Sequence, residues 1–346
     1  MIFTNFAAYF SHLTHFIMKK HHMRTLPLLF LAITAAISSC GNSARNNFNK
    51  DEGMIWNTTY HITYDGPSTL RDSILNVLDK IGKSLSVFDK SSLVSRVNDA
   101  DSLEIDSHFK TVYMVSQRIC RASGGMFDPT LSPLITAWGF GPGHKISADT
   151  AAVDSIMNFT GLHKTRLRGD SIIKDDRRVQ FNFSAVAKGY ACDAVADMLR
   201  RNGAGNYLVE IGGEIVMAGK NPRGGLWKVS VDAPIETDST EIHDACAVIE
   251  STGCGVATSG NYRNYHKDGE KTLGHTISPA TGRPVTTDVI SATVIAPTCV
   301  EADAAATACM AAGSQAAKRM LSELGYEGML IMPDSVWTSP DFPKTK

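Results

Sequence analysis

Residues 206–219 read NYLVEIGGEIVMAG, two short runs of branched and apolar residues split by Gly212 and Gly213. The theme recurs in LWKVSVDAP (226–234), CAVIESTG (246–253), TLGHTISP (272–279) and VISATVIAP (289–297), each bounded by Gly, Pro or polar turns. Short β-rich runs separated in this way predict an antiparallel meander. Upstream, IWNTTYHITY (55–64) is β-branched and aromatic and reads as one more strand. Apolar residues at 70, 74, 77, 78, 81 and 85 keep helical spacing, and a second helix is expected over 109–122. A third runs over 186–201 with Gly203 just past its end, and an Ala-rich fourth over 300–324. Helices and strands fall in blocks, so the fold class is α+β.

Composition agrees with a globular enzyme-sized chain. Of 346 residues, 43% are hydrophobic and 20% charged, and the formal net charge is -1. No basic surface is available to hold a phosphate backbone, which argues against nucleic acid as a partner. The only long apolar run, 26–37, has about half the length needed to span a bilayer and lies near the start of the chain. It follows Lys19, Lys20 and Arg24 and ends in Ile37-Ser38-Ser39-Cys40-Gly41, the pattern of a secretory signal. A cysteine straight after the small residues is similar to a bacterial lipobox, so Cys40 is expected to be lipidated and to become the mature N-terminus. An ordinary thiol beside a non-lipoprotein cleavage site is the alternative. The expected product is a lipid-anchored protein of the bacterial cell envelope, on the periplasmic side, with residues 40–52 as a polar tether. The six remaining cysteines form no CxxC pair and are expected in the core.

Four segments carry candidate chemistry. In EADAAAT (301–307), Asp303 and Thr307 stand one helical turn apart and offer hard oxygen ligands suited to Mg²⁺. The alternative is a capping Asp303 and a core-facing Thr307. In NFSAVAKGY (182–190) a strand gives way to a helix, whose free first-turn N–H groups and Lys188 suit a phosphate; a solvated surface lysine is the bland option. In GGMFDPT (124–130), Phe127 offers a stacking face and Asp128 an acceptor, unless the segment is a plain turn. In HTISPATG (275–282), His275 is either a base or a hydrogen-bonded structural residue. P-loop, Rossmann, G-x-S-x-G and H-E-x-x-H motifs are absent from the sequence.

Taken in order, GGMFDPTLSPLITAWGFG, FNFSAVAKGYACDAVADMLR, YLVEIGGEI, ATSGNYRNY, HTISPATGRP and ISATVIAPTCVEADAAATA resemble the ApbE family of FAD:protein FMN transferases, over residues 56–328. The resemblance implies a T-fold-like core within one flavin transferase domain, residues 53–346, behind a signal peptide at 1–39. It implies a Mg²⁺-dependent enzyme that moves the FMN half of FAD onto a Thr or Ser hydroxyl of an acceptor flavoprotein and releases AMP. Family acceptors belong to NADH:quinone oxidoreductase and Rnf-type complexes. By position, the resemblance makes Ala185, Asp303 and Thr307 metal ligands, with Ala185 contributing its carbonyl. Trp56, Phe88, Met126, Phe127, Asp128, Asn182, Lys188, His275 and Ile277 fall at FAD-contacting positions, and His275 at that of the base. Asn182 and Ser278 stand where the family often has Asp. A Mg²⁺-dependent FAD pyrophosphatase and a non-catalytic FAD-binding lipoprotein are the competing readings.

Overall fold

The computed structural model describes residues 47–141, 148–232, 245–260, 265–268 and 271–343. The expected signal segment, Cys40 and the tether as far as residue 46 lie outside the described residues. Strands β1 (Phe48–Ile55) and β2 (Thr58–Asp65) form a hairpin rather than the single strand expected over 55–64. The turn is Trp56-Asn57, with φ of 50° and 61°. Positive φ at both central residues is the geometry of a tight hairpin turn, which sequence reading associates with Gly and Asn rather than Trp. The last residues of the expected tether therefore belong to β1, where Asp51 is buried against the Tyr60 hydroxyl (3.0 Å) and the Arg71 guanidinium (2.7 Å).

After the hairpin come α1 (Arg71–Leu85), α2 (Leu93–Asn98), β3 (Ser102–Glu104), α3 (Ser107–Ala122), α4 (Ser132–Ala137), α5 (Thr150–Met157), β4 (Thr165–Arg168), β5 (Ser171–Lys174) and α6 (Ala187–Arg201). The strand expected just before α6 is reduced to a single bridge, Leu131 to Gln180. The meander comes next as β6 (Tyr207–Ile211), β7 (Glu214–Ala218), β8 (Trp227–Asp232), β9 (Ala245–Ser251), β10 (Cys254–Gly260), β11 (Tyr265–Asp268), β12 (Lys271–Gly274) and β13 (Ser291–Ala296). The helix expected over 300–324 is two helices, α7 (Cys299–Ala312) and α8 (Ser314–Leu324), broken at Gly313, whose φ of 78° is not helical. Strands β14 (Glu327–Met332) and β15 (Ser335–Thr338) close the chain.

The main sheet runs β1-β2-β6-β7-β10-β13-β14-β15 and each of its pairings is antiparallel. In its central strands β7, β10, β13 and β14, side chains alternate between two covered faces, as the two-residue period of a strand requires. Val216, Ala257, Val294 and Leu330 join the core beneath the helices. Their neighbours Ile215, Met217, Val256, Ile295, Met329 and Ile331 pack instead with Trp227, Val229, Val231 and Ile249 of the β8–β9 ribbon. Both faces being covered explains why these strands read as near-continuous apolar runs rather than as alternating ones. Helix α7 packs on β10 and β13 and against α3, α6 and α8. Eleven of its residues are buried, Asp303 among them, so its Ala-rich composition serves close approach on all sides.

Away from the main sheet, the Lys174 ammonium, on a residue only 6% exposed, donates to the carbonyls of Asn98, Arg177 and Val179 at 2.9–3.0 Å. Cys192, Cys299 and Cys309 are buried as expected, whereas Cys120 and Cys254 are only half-buried, and Cys246, near the start of β9, is exposed while its neighbour Ala247 packs on the apolar cluster. Among the described residues no helix is long and apolar enough to cross a membrane.

Candidate functional site

A cavity of about 800 Å³ opens where the start of α6, the turn between β6 and β7, the end of β10 and the middle of α7 meet. Each wall is held by identifiable bonds. The segment leading into α6 is anchored by Phe181 and Phe183, which pack edge-on against Phe109 with ring centroids 5.4 and 5.0 Å away. Asn98 clamps Phe181 from both sides, accepting its N–H at 2.7 Å and donating to its carbonyl at 2.9 Å. Asn182 then donates its backbone N–H to the Pro129 carbonyl at 2.7 Å, which ties the α6 segment to the 124–130 loop. Its side-chain oxygen accepts from the Ser184 N–H at 2.9 Å and turns the chain into the helix.

That loop brings Met126, Phe127 and Asp128 to the cavity wall. Asp128 is committed to the loop itself: one oxygen accepts from the Thr130 N–H and hydroxyl at 2.7 and 2.6 Å, the other from the Leu162 N–H at 3.0 Å. Burial pushes the Asp128 carboxyl above its ordinary value even so. On the opposite side, Ser278 N–H to the Arg283 carbonyl (2.8 Å) closes the 275–284 turn, and the Trp138 indole N–H donates to the Gly282 carbonyl at 2.8 Å. This places His275 and Ile277 in the lining, with the Phe140 ring 6.4 Å from the His275 ring.

The floor carries the charge. Gly212 and Gly213, with φ of 60° and 99°, make the two-residue turn between β6 and β7. A Cβ on Gly212 would stand 2.8 Å from Thr58 Oγ1 and 3.2 Å from Lys188 Cδ, so the lysine stem packs close against the turn. The Lys188 ammonium reaches Glu214 Oε1 at 2.9 Å. Glu214 Oε2 is buried and has no hydrogen-bond partner among the described residues. Burial raises the Glu214 carboxyl, helped by the Asp303 charge and opposed by Lys188. Burial works against the Lys188 ammonium too, but the Glu214 and Asp303 carboxylates outweigh it and raise its pKa.

Asp303, 3% exposed, accepts the Gly189 N–H on Oδ2 at 3.0 Å. In an uninterrupted helix that amide would bond to the carbonyl four residues earlier, that of Ala185. Among the described residues no backbone N–H donates to the Ala185 carbonyl, which is thus left available in the cavity wall. Thr307, one turn along α7, meets the Ser259 hydroxyl at 3.3 Å. The expected metal ligands Ala185, Asp303 and Thr307 all line the same cavity. They offer a carbonyl, a carboxylate and a hydroxyl, a hard-oxygen set that fits Mg²⁺ and not a soft metal. Among the described residues no three His, Cys, Asp or Glu side chains cluster as a metal cage. A cation here would keep coordination positions for water and substrate oxygens.

Of the expected flavin contacts, Phe88, Met126, Phe127, Asp128, Asn182, Lys188, His275 and Ile277 line the cavity. Trp56 does not: it sits at the hairpin turn, 37% exposed, with its indole nitrogen 3.0 Å from where a Cβ on Gly82 would stand. The sequence reading missed Glu214, Glu210 and Ser259, which also line the cavity. Glu214 had a readable signal, since it is the one charged residue of a strand, EIVMA, that is otherwise apolar.

The ApbE family model matches residues 56–330. The chain is 33% identical over 276 residues to a FAD:protein FMN transferase of Vibrio cholerae serotype O1, covering 76% of this chain and 81% of that protein. It is 32% identical over 307 residues to the Escherichia coli K12 protein of the same name, covering 85% and 86%. Among solved structures, the flavin transferase ApbE of Vibrio cholerae superposes with a TM-score of 0.76 at 29% identity, covering 86% of this chain and 98% of that one. The apo flavinyl transferase ApbE of Pseudomonas stutzeri gives 0.74 at 26%, covering 85% and 96%.

Proposed function

The chain belongs to the ApbE family, and from that premise we propose that it is a FAD:protein FMN transferase using Mg²⁺. The acceptor is the Thr or Ser hydroxyl of a flavoprotein subunit, of the kind found in NADH:quinone oxidoreductase or Rnf-type complexes, and AMP is the product released. The observation that carries this reading is convergence: Lys188, Asp303, Thr307 and the Ala185 carbonyl share one cavity with His275 and the 126–128 loop.

The acceptor oxygen attacks the FMN phosphorus, a new P–O bond forms, and the bond to the bridging oxygen of the pyrophosphate breaks, leaving AMP. Mg²⁺ held by Asp303, Thr307 and the Ala185 carbonyl would supply neutralisation of phosphoryl charge. Lys188 adds a fixed positive charge whose position Glu214 sets, in a partly water-excluded site where it is worth more than in bulk. A threonine hydroxyl is a weak nucleophile at neutral pH, and His275 in the lining takes its proton as the bond forms. Phe88 and Phe127 offer apolar faces for the flavin ring, while the backbone around Asn182 holds the two walls in register.

We also infer that the chain is exported and held at a membrane by lipid on Cys40, the basis being the basic-apolar-small pattern of residues 19–40. The mass of the mature N-terminal peptide, with and without Cys40→Ala, checks this.

The transferase reading is tested with the chain from Gly41 onward, FAD and Mg²⁺, with and without an acceptor bearing a Thr-containing flavinylation segment. Acceptor mass rising by one FMN with matching AMP, abolished by EDTA, is the expected result. AMP with free FMN and no labelled acceptor would make the protein a pyrophosphatase. Tight FAD binding without AMP would make it a flavin carrier.

A further inference from the structure

Helices α6 and α7 cap each other. Asp193 of α6 accepts the N–H of Cys299 on Oδ1 at 2.9 Å and that of Val300 on Oδ2 at 2.8 Å. These are first-turn amides of α7, which have no partner within their own helix. The helix does not supply its own cap: Thr298 at the N-cap makes no side-chain capping bond, and its buried hydroxyl has no partner among the described residues. In the other direction, Asp303 of α7 accepts the first-turn Gly189 N–H of α6 at 3.0 Å. A carboxylate on each helix is thus fastened to the opening turn of the other.

This reciprocity controls something apolar packing controls poorly. Helix α7 is buried nearly all round and presents mostly Ala to its neighbours. Small methyl side chains form shallow ridges, so they resist sliding and rotation less than interdigitated Leu or Ile would. A slip of one residue moves a side chain by about 1.5 Å along the axis and turns it by about 100°. Asp303 and Thr307 would then no longer face Ala185 and Lys188.

We infer that Asp193 is a positioning residue of the cation site, fixing the register of α7 on α6 so that Asp303 and Thr307 stand opposite the Ala185 carbonyl. The inference rests on the proposal that this donor set holds a divalent cation. Asp193 is not part of the cavity lining, so it acts through α7 and not on the cation itself. Burial raises its carboxyl to about 7, while the two amide donors hold it down.

The test uses the chain from Gly41 onward, with Mn²⁺ as probe, its free concentration read by electron paramagnetic resonance. Asp193→Ala should raise the Mn²⁺ Kd at least tenfold while FAD affinity without cation stays within twofold, and excess Mg²⁺ should restore much of the lost kcat. Asp193→Asn keeps one acceptor oxygen for one of the two amides and should fall between. It decides the question on the same isotherm if the Ala variant does not fold. Ile172→Val in the distant β3–β5–β4 sheet, a control for general destabilisation, should leave the Mn²⁺ Kd unchanged. A folded Asp193 variant with wild-type Mn²⁺ affinity overturns the inference, whatever its activity. If the wild-type chain binds no Mn²⁺, or Asp303→Ala leaves binding intact, the cation reading itself fails and the inference with it.

Discussion

Lys188 and Glu214 form an ion pair of 2.9 Å across the β6–β7 turn, with the second Glu214 oxygen buried and without a donor among the described residues. Removing one partner of such a pair leaves a poorly solvated charge, which costs more than the pair contributes when intact. Glu214→Ala should therefore destabilise the fold by about 2–3 kcal/mol, since Lys188 remains partly solvated, and Glu214→Gln by less. The double variant Lys188→Met/Glu214→Leu should be less destabilised than Glu214→Ala. Urea unfolding of the four chains decides this; equal stability of Glu214→Ala and wild type would show that the pair is not strained by burial.

Gly189 is the second point of sensitivity. A Cβ there would stand 2.4 Å from the Cys299 carbonyl oxygen and 2.8 Å from Asp303 Cβ. Gly189→Ala must push α7 away from α6, at a cost of about 1–3 kcal/mol in overpacking. Because the displaced atoms belong to the helix proposed to hold the cation, the Mn²⁺ Kd of the variant should rise more than that of a core variant matched for stability. Retained Mn²⁺ affinity would mean that the helices separate without moving Asp303.

His275→Ala should keep FAD binding within about twofold and lower transfer by about 10²–10⁴, the usual contribution of a positioned base. Flavin fluorescence quenching reads the first and acceptor mass the second. Normal turnover by this variant would remove His275 from proton transfer.

A pH dependence of stability comes from Lys174. Burial depresses its ammonium to about 8, below the ordinary 10.5. Between those values the unfolded chain binds more protons at this site than the native one, so stability gains from it as pH rises and loses as pH falls towards 8. The difference in unfolding free energy between wild type and Lys174→Met should therefore grow from pH 8 to 10.5. A flat difference would show that its three carbonyl acceptors hold the charged form as well as water does.

Legibility in the sequence tracks chain distance. Asp303, Thr307 and Lys188 lie in short local motifs whose spacing leaves capping, core or surface roles open, and it is the resemblance to the ApbE family that singles them out. Asp193 was not legible, since it bonds amides 106 and 107 residues away; Glu214 stands out as the one charged residue of an apolar strand, but its partner Lys188, 26 residues away, does not show in the sequence. The antiparallel meander was readable from its Gly and Pro punctuation, whereas the β1–β2 hairpin was hidden by a turn made of Trp56 and Asn57. The break between α7 and α8 is hidden in the sequence because good helix formers flank Gly313, an Ala-rich run before it and AAKRML (316–321) after it.

The pairing of β2 with β6, in which Tyr60 faces Ile211, joins parts of the chain that lie on either side of helices α1 to α6. A fold of this contact order closes slowly, because long loops lose their entropy before the strands that reward it can meet. The cavity draws its walls from Phe88 at one extreme to Ala311 at the other, so no short fragment contains it. Ligand occupancy is consequently linked to global unfolding. At a hundredfold excess over its Kd, any ligand confined to the native cavity adds about 2.7 kcal/mol to the stability of the entire domain.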